Sequence, residues 1–126
     1  MKGDARLIEG LNEILIGELT GINQYFIHAM MCQNWGYERL VEKIRAESIG
    51  EMNHAEKIIE RILHLEGVPN LTRLEKIQVG ERVVDQLQFD LEVENVAIER
   101  FNRMIALAVE GGDHGSRQLG RFQGIG

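Results

Sequence analysis

One cysteine, one proline and seven aromatic residues (four Phe, two Tyr, one Trp) are all that a chain of 126 residues offers of these types. The lone Cys32 excludes an intramolecular disulfide, so the cytoplasm is the expected compartment. The scarcity of proline and aromatics, beside abundant Leu, Ile, Glu and Arg, favours helices over sheet. Positive charge is also short: 14 Lys and Arg against 20 Asp and Glu leave a net charge of −6. A protein that tracks phosphates needs a basic face, so no nucleic-acid partner is expected. The acidic surplus suits a protein that handles cations. Long apolar runs are missing too. No stretch approaches the roughly 18 residues of a membrane span, and Met1-Lys2-Gly3-Asp4-Ala5-Arg6 has no apolar signal region, so neither a membrane partner nor a leader is expected. With 44% apolar and 27% charged residues, the chain reads as one soluble globular domain over residues 1–126.

What is present is helical periodicity. A first helix is expected over about residues 5–34, with Asp4 as N-cap and the stripe Leu11, Ile14, Leu15, Glu18, Ile22, Tyr25 and Ala29. A second spans about 38–65, closed by Gly67 and Pro69, with Ile44, Glu47, Glu51, His54, Ile58, Ile62 and Leu65. A third runs over about 81–110 with Val84, Leu87, Leu91, Glu94, Ile98, Phe101, Ile105 and Ala108. The connection from Glu66 to Gly80 is too long for a tight turn. Fourteen extended residues at about 3.3 Å each cover the roughly 38 Å of a 25-residue helix, so the connection can cross the whole bundle and set the second and third helices parallel. The last 16 residues hold six glycines and read as an irregular tail over 111–126.

Each apolar stripe is interrupted by ionisable residues. Glu51 and His54, three residues apart on a helix, point to one face and can hold one metal ion, with Glu18 and Glu94 on the flanking stripes. A buried carboxylate without a partner takes up a proton or finds a cation, and these stripes carry no Lys or Arg to serve. Hard carboxylate oxygens with an imidazole suit iron or manganese and tolerate zinc; iron is the favoured occupant. The plainer readings stand beside this one. Glu-x-x-His alone is common on helices, and Glu47 reads as an outer or solvated carboxylate. His28, His64 and His114 read as surface or satisfied core histidines, and Cys32 as a small buried hydrophobe. Tyr25, two turns after Glu18, is either a hydrogen-bond donor or electron source beside a metal, or a packed tyrosine.

Over about residues 1–118 the chain resembles the bacterioferritins, which are ferritin-like proteins. The resemblance rests on Met1-Lys2-Gly3-Asp4, on Glu18-Leu19-Thr20-Gly21-Ile22-Asn23-Gln24-Tyr25-Phe26 and on Glu47-Ser48-Ile49-Gly50-Glu51-Met52-Asn53-His54-Ala55-Glu56. It extends through Ile59-Glu60-Arg61-Ile62-Leu63-His64-Leu65-Glu66-Gly67-Val68-Pro69-Asn70-Leu71. It implies an all-α, ferritin-like four-helix bundle with a long crossover. It also implies oxidation of Fe(II) by oxygen or peroxide at a di-iron centre and storage of Fe(III) in a hollow shell of twenty-four subunits. The ligands would be Glu18, Glu51, His54 and Glu94, with Glu51 as the bridge and Tyr25 as a redox-active neighbour. A haem between two-fold related subunits would be held by Met52, with Leu19, Asn23 and Phe26 lining its pocket.

Two departures qualify that pattern. Some members carry a histidine and an aspartate for an inner-surface iron site where this chain has Ala46 and Gly50, so that site is not expected. The family's fourth helix, with a second Glu-x-x-His, is expected to be truncated here: after Ser116-Arg117 the sequence reads Gln118-Leu119-Gly120-Arg121-Phe122-Gln123-Gly124-Ile125-Gly126. Such a chain either keeps a weakened ferroxidase activity or joins full-length subunits as a non-catalytic haem-binding or structural subunit. The missing wall is expected to expose apolar residues on the other helices.

Overall fold

A computed structural model describes residues 3–120 and shows four helices: α1 (Ala5–Trp35), α2 (Glu38–His64), α3 (Val83–Glu110) and the short α4 (His114–Gly120). No strand occurs among the described residues. The Asp4 side chain caps α1 by accepting from the Arg6 N–H at 2.8 Å. The helix ends where Gly36 turns left-handed (φ 85°), which lets Gly36 and Tyr37 reach back to the carbonyls of Gln33 and Cys32 and start α2 antiparallel. The two helices pair along their length, and Gly3 donates to the carbonyl of Leu65 at the far end.

Crossover placement follows from a polar ladder on α1. Asn12 bonds the backbone of Val68 and Asn70, Thr20 accepts from the Glu75 N–H, Gln24 from Gln78 and His28 from Gly80. These partners rise together along both segments, so the crossover runs parallel to α1 from its beginning to near its end. Gly80 is required at the top, because a Cβ there would collide with the backbone of Gln86. Helix α3 therefore begins near the end of α1, where Cys32 donates to Gln86, and finishes near its start, where Arg6 comes within 4.0 Å of Glu110. It is parallel to α2. Its first turn opens at Val83 and not at 81, because Gly80 is held by His28 and Arg82 is extended.

Two apolar clusters fill the interior. The lower one joins Leu7, Leu11, Ile14 and Leu15 to Ala55, Ile58, Ile62 and Leu65 and to Phe101, Met104 and Ala108. The upper one gathers Tyr25, Ala29, Cys32 and Ile44. On the third stripe the sequence expectation is corrected. Phe101 and Ala108 are buried, but Val84, Leu87, Leu91 and Ile98 are 44–61% exposed. Helix α3 meets α1 through Gln86, Asp90 and Arg100, so much of the periodic stripe stays exposed among the described residues. The reading of 111–126 as irregular is also corrected where the structure describes it. Asp113 caps α4 by accepting from the Ser116 N–H at 3.0 Å, and Arg61 ties Asp113 and Ser116 to α2. Residues 121–126 and the side chain of His114 lie outside the described residues.

Candidate metal centre

At mid-height, between the two apolar clusters, α1 and α2 turn Glu18 and Glu51 inward, 3% and 7% exposed. Gly21, one turn beyond Glu18, lets α3 come close, since a Cβ there would press on Val93 at 3.3 Å. His54, one turn after Glu51, is half-buried and places Nδ1 at 3.7 Å from Glu18 Oε2 and at 3.7 Å from Glu51 Oε1. Neither distance is a hydrogen bond. One donor atom from each of the three residues lies within 4.8 Å of the others, and Glu18 Oε2 is buried with no hydrogen-bond partner.

That geometry tests whether a cation fits. Ligand bonds of about 2.0–2.1 Å to a six-coordinate ion put adjacent donors about 3 Å apart and opposite donors about 4 Å apart. The observed spacing needs only small side-chain adjustments to meet this. Two carboxylates and an imidazole form a hard donor set suited to iron or manganese, and the unpartnered Glu18 oxygen is the atom a cation would satisfy. The neighbouring Glu51 carboxylate raises the pKa of His54 against the opposing effect of burial. A metal would compete with a proton there, since an imidazole ligand must be neutral.

The structure brings Glu18, Glu51 and His54 together; Glu94 stands at their edge, outside the group of three. Its Oε1 accepts from the Tyr25 hydroxyl at 2.5 Å. Burial raises the Glu94 pKa, the Tyr25 hydrogen bond lowers it, and the charges of Glu51 and Glu47 raise it further. Tyr25 is buried, and burial followed by its bond to Glu94 pushes the phenol well above its ordinary value, keeping it a neutral donor. Glu47 is exposed, as an outer carboxylate. Of the residues assigned to haem, Met52 and Phe26 are about half exposed and Asn23 is exposed. Leu19 is half-buried and packs against the lower apolar cluster, so it presents less of itself to a surface pocket.

Sequence reasoning missed the group around Asp90. Gln24 and His28 both bond its Oδ1 at 2.9 Å. The signal was the four-residue spacing of Thr20, Gln24 and His28, a polar line on an otherwise apolar helix.

A ferritin-like domain matches residues 8–121. Across 110 residues the chain is 46% identical to a bacterioferritin of Mycolicibacterium paratuberculosis, covering 87% of this chain and 69% of that one. The chain belongs to the bacterioferritin family. A family member from Rhodobacter capsulatus is 44% identical over 119 residues, 94% of this chain and 74% of its own. Another from Streptomyces coelicolor is 50% identical over 105 residues, 83% and 63% of the two chains. The residues matched by the ferritin-like domain include the stretch that carries Glu18, Glu51, His54 and Glu94.

Proposed function

We propose that this chain serves iron storage, taking Fe(II) as substrate at the Glu18, Glu51 and His54 group and oxidising it with oxygen or peroxide. The Fe(III) product would be kept inside a hollow shell of twenty-four subunits, with a haem at each two-fold contact. The observation that carries the reading is the buried, unpartnered Oε2 of Glu18 facing His54 and Glu51. Glu18 and His54 would hold one metal ion, Glu94 the other, and Glu51 both. When bound, two ferrous ions supply one electron each to the oxidant. The chain's own groups provide the rest. The apolar clusters above and below keep Glu18 and Glu51 out of bulk water, the half-exposed His54 is the side open to solvent, and Tyr25 presents a phenolic proton to Glu94.

A second reading is favoured by the position of Glu94. It stands outside the group of three, and the 126 residues contain one Glu-x-x-His, so the second metal position has few ligands from this chain. On that reading the chain is a haem-binding or structural subunit that co-assembles with full-length bacterioferritin. Stopped-flow oxidation of Fe(II) by the purified chain separates the two. We expect oxidation far slower than that of a full-length relative. A fast phase saturating at two irons per chain would show the enzyme reading complete without a partner.

A further inference from the structure

Asp90 sits one helical turn before Glu94 on α3, and a single oxygen, Oδ1, accepts from Gln24 Nε2 and from His28 Nδ1, each at 2.9 Å. The direction of the second bond follows from the other ring nitrogen. His28 Nε2 faces the Gly80 N–H at 3.0 Å, and an amide N–H only donates, so the imidazole carries its proton on Nδ1. Gln24 is engaged at both ends as well, its Oε1 accepting from the Gln78 N–H at 3.1 Å. Both donors are fully buried and the crossover aims both.

Apolar packing sets this half of α3 less firmly than the other. Its buried residues Phe101, Met104 and Ala108 belong to the second half, and Gln86 alone to the first. Leu87 and Leu91 are exposed, and the half-buried Val83 and Val93 pack against the upper cluster from its edge. The bond between Tyr25 and Glu94 joins two rotatable side chains and constrains the backbone weakly.

We propose that Asp90, gripped by Gln24 and His28, is the positioning residue for Glu94. The grip holds the first half of α3 at the rotation and register that bring Glu94 to Tyr25 and to the edge of the Glu18, Glu51 and His54 group. This deepens the metal-site reading and rests on it only for the metal readout below.

The test uses a Tyr37→Phe background, in which Tyr25 is the sole tyrosine. Ultraviolet resonance Raman of the phenol reports its hydrogen bond. Asp90→Leu is expected to shift the Tyr25 band to that of a weakly bonded phenol, while Asp90→Asn, which keeps an oxygen for both donors, retains the parent band. In Asp90→Leu, Co(II) should keep its site at Glu18, Glu51 and His54, while the weaker, Glu94-dependent binding falls about 10- to 100-fold, the range for groups that orient ligands; Asp90→Asn should bind as the parent does. An unchanged Tyr25 band in Asp90→Leu overturns the proposal. So does an Asp90→Asn protein as altered as Asp90→Leu, since charge and not grip would then be the cause. A parent that binds no Co(II) sinks the metal-site reading, and the Raman band alone then decides the role of Asp90. Should Asp90→Leu lack a cooperative melt, Gln24→Met removes one donor; a smaller shift of the same band supports the grip, and none overturns it.

Discussion

On the proposed reading both metal positions would depend on Glu51, because it is buried beside Glu18 and His54 and its charge reaches Glu94. Replacing it with alanine would remove a donor from each position. Glu51→Ala is therefore expected to lose Co(II) stoichiometry, while Glu56→Ala, exposed on the same helix, leaves it unchanged. Equal stoichiometry in the two variants would reject the assignment. This much was legible in the sequence, since a fixed spacing of three on a helix sets which side chains share a face. The unequal standing of Glu94 was not legible. Periodicity says that Glu94 faces inward, but the Tyr25 hydroxyl and the carboxylates around it decide how far it reaches.

At the scale of elements, α4 owes its start to Asp113. Burial works against that carboxylate's charge, but hydrogen bonds from the Ser116 backbone and hydroxyl and from Arg61 outweigh it and hold the pKa below the ordinary value. The folded pKa is depressed, so this contribution is complete above the unfolded carboxylate pKa of about 3.9 and is lost as pH falls through the folded value. Protection of the α4 amides, taken relative to the intrinsic exchange rate at each pH, should fall on acidification below about pH 4. Asp113→Ala should show the loosened helix already at neutral pH, at a cost of about 1 kcal/mol. Identical exchange in the variant and the parent at neutral pH would show that the cap is idle. Glycine density concealed this helix from the sequence reading. Two of the glycines lie in the turn before it, Gly112 with φ 72°, and Gly115 leaves room for the Arg61 guanidinium. These glycines serve the junction and do not break the helix that follows.

At the scale of the molecule, exposed apolar side chains lie on both α1 and α2, with Phe26 52% and Met52 48% exposed. A two-fold contact brings the same residue from both subunits to one axis, and two facing thioethers are weak neutral ligands for haem iron. One haem per two chains is the expected stoichiometry. Met52→Leu should preserve packing volume and lose the haem spectrum; a variant that keeps its Soret band removes Met52 from the ligand role. The exposed Leu87, Leu91 and Ile98 form a separate apolar line on α3.

The three long helices, their amphipathic periodicity and the pairing of Glu51 with His54 were determined by the sequence alone, because they depend on contacts within a few residues and on a period of 3.6. The crossover's length already allowed parallel α2 and α3. Only the tertiary structure decided what the third stripe faces. Helix α3 has one amphipathic pattern, but its rotation is set by Asp90 against Gln24 and His28, and by Arg100, which reaches the Glu13 carbonyl and Glu75. Those partners stand 25 to 87 positions away in the chain, a separation over which local periodicity carries no information.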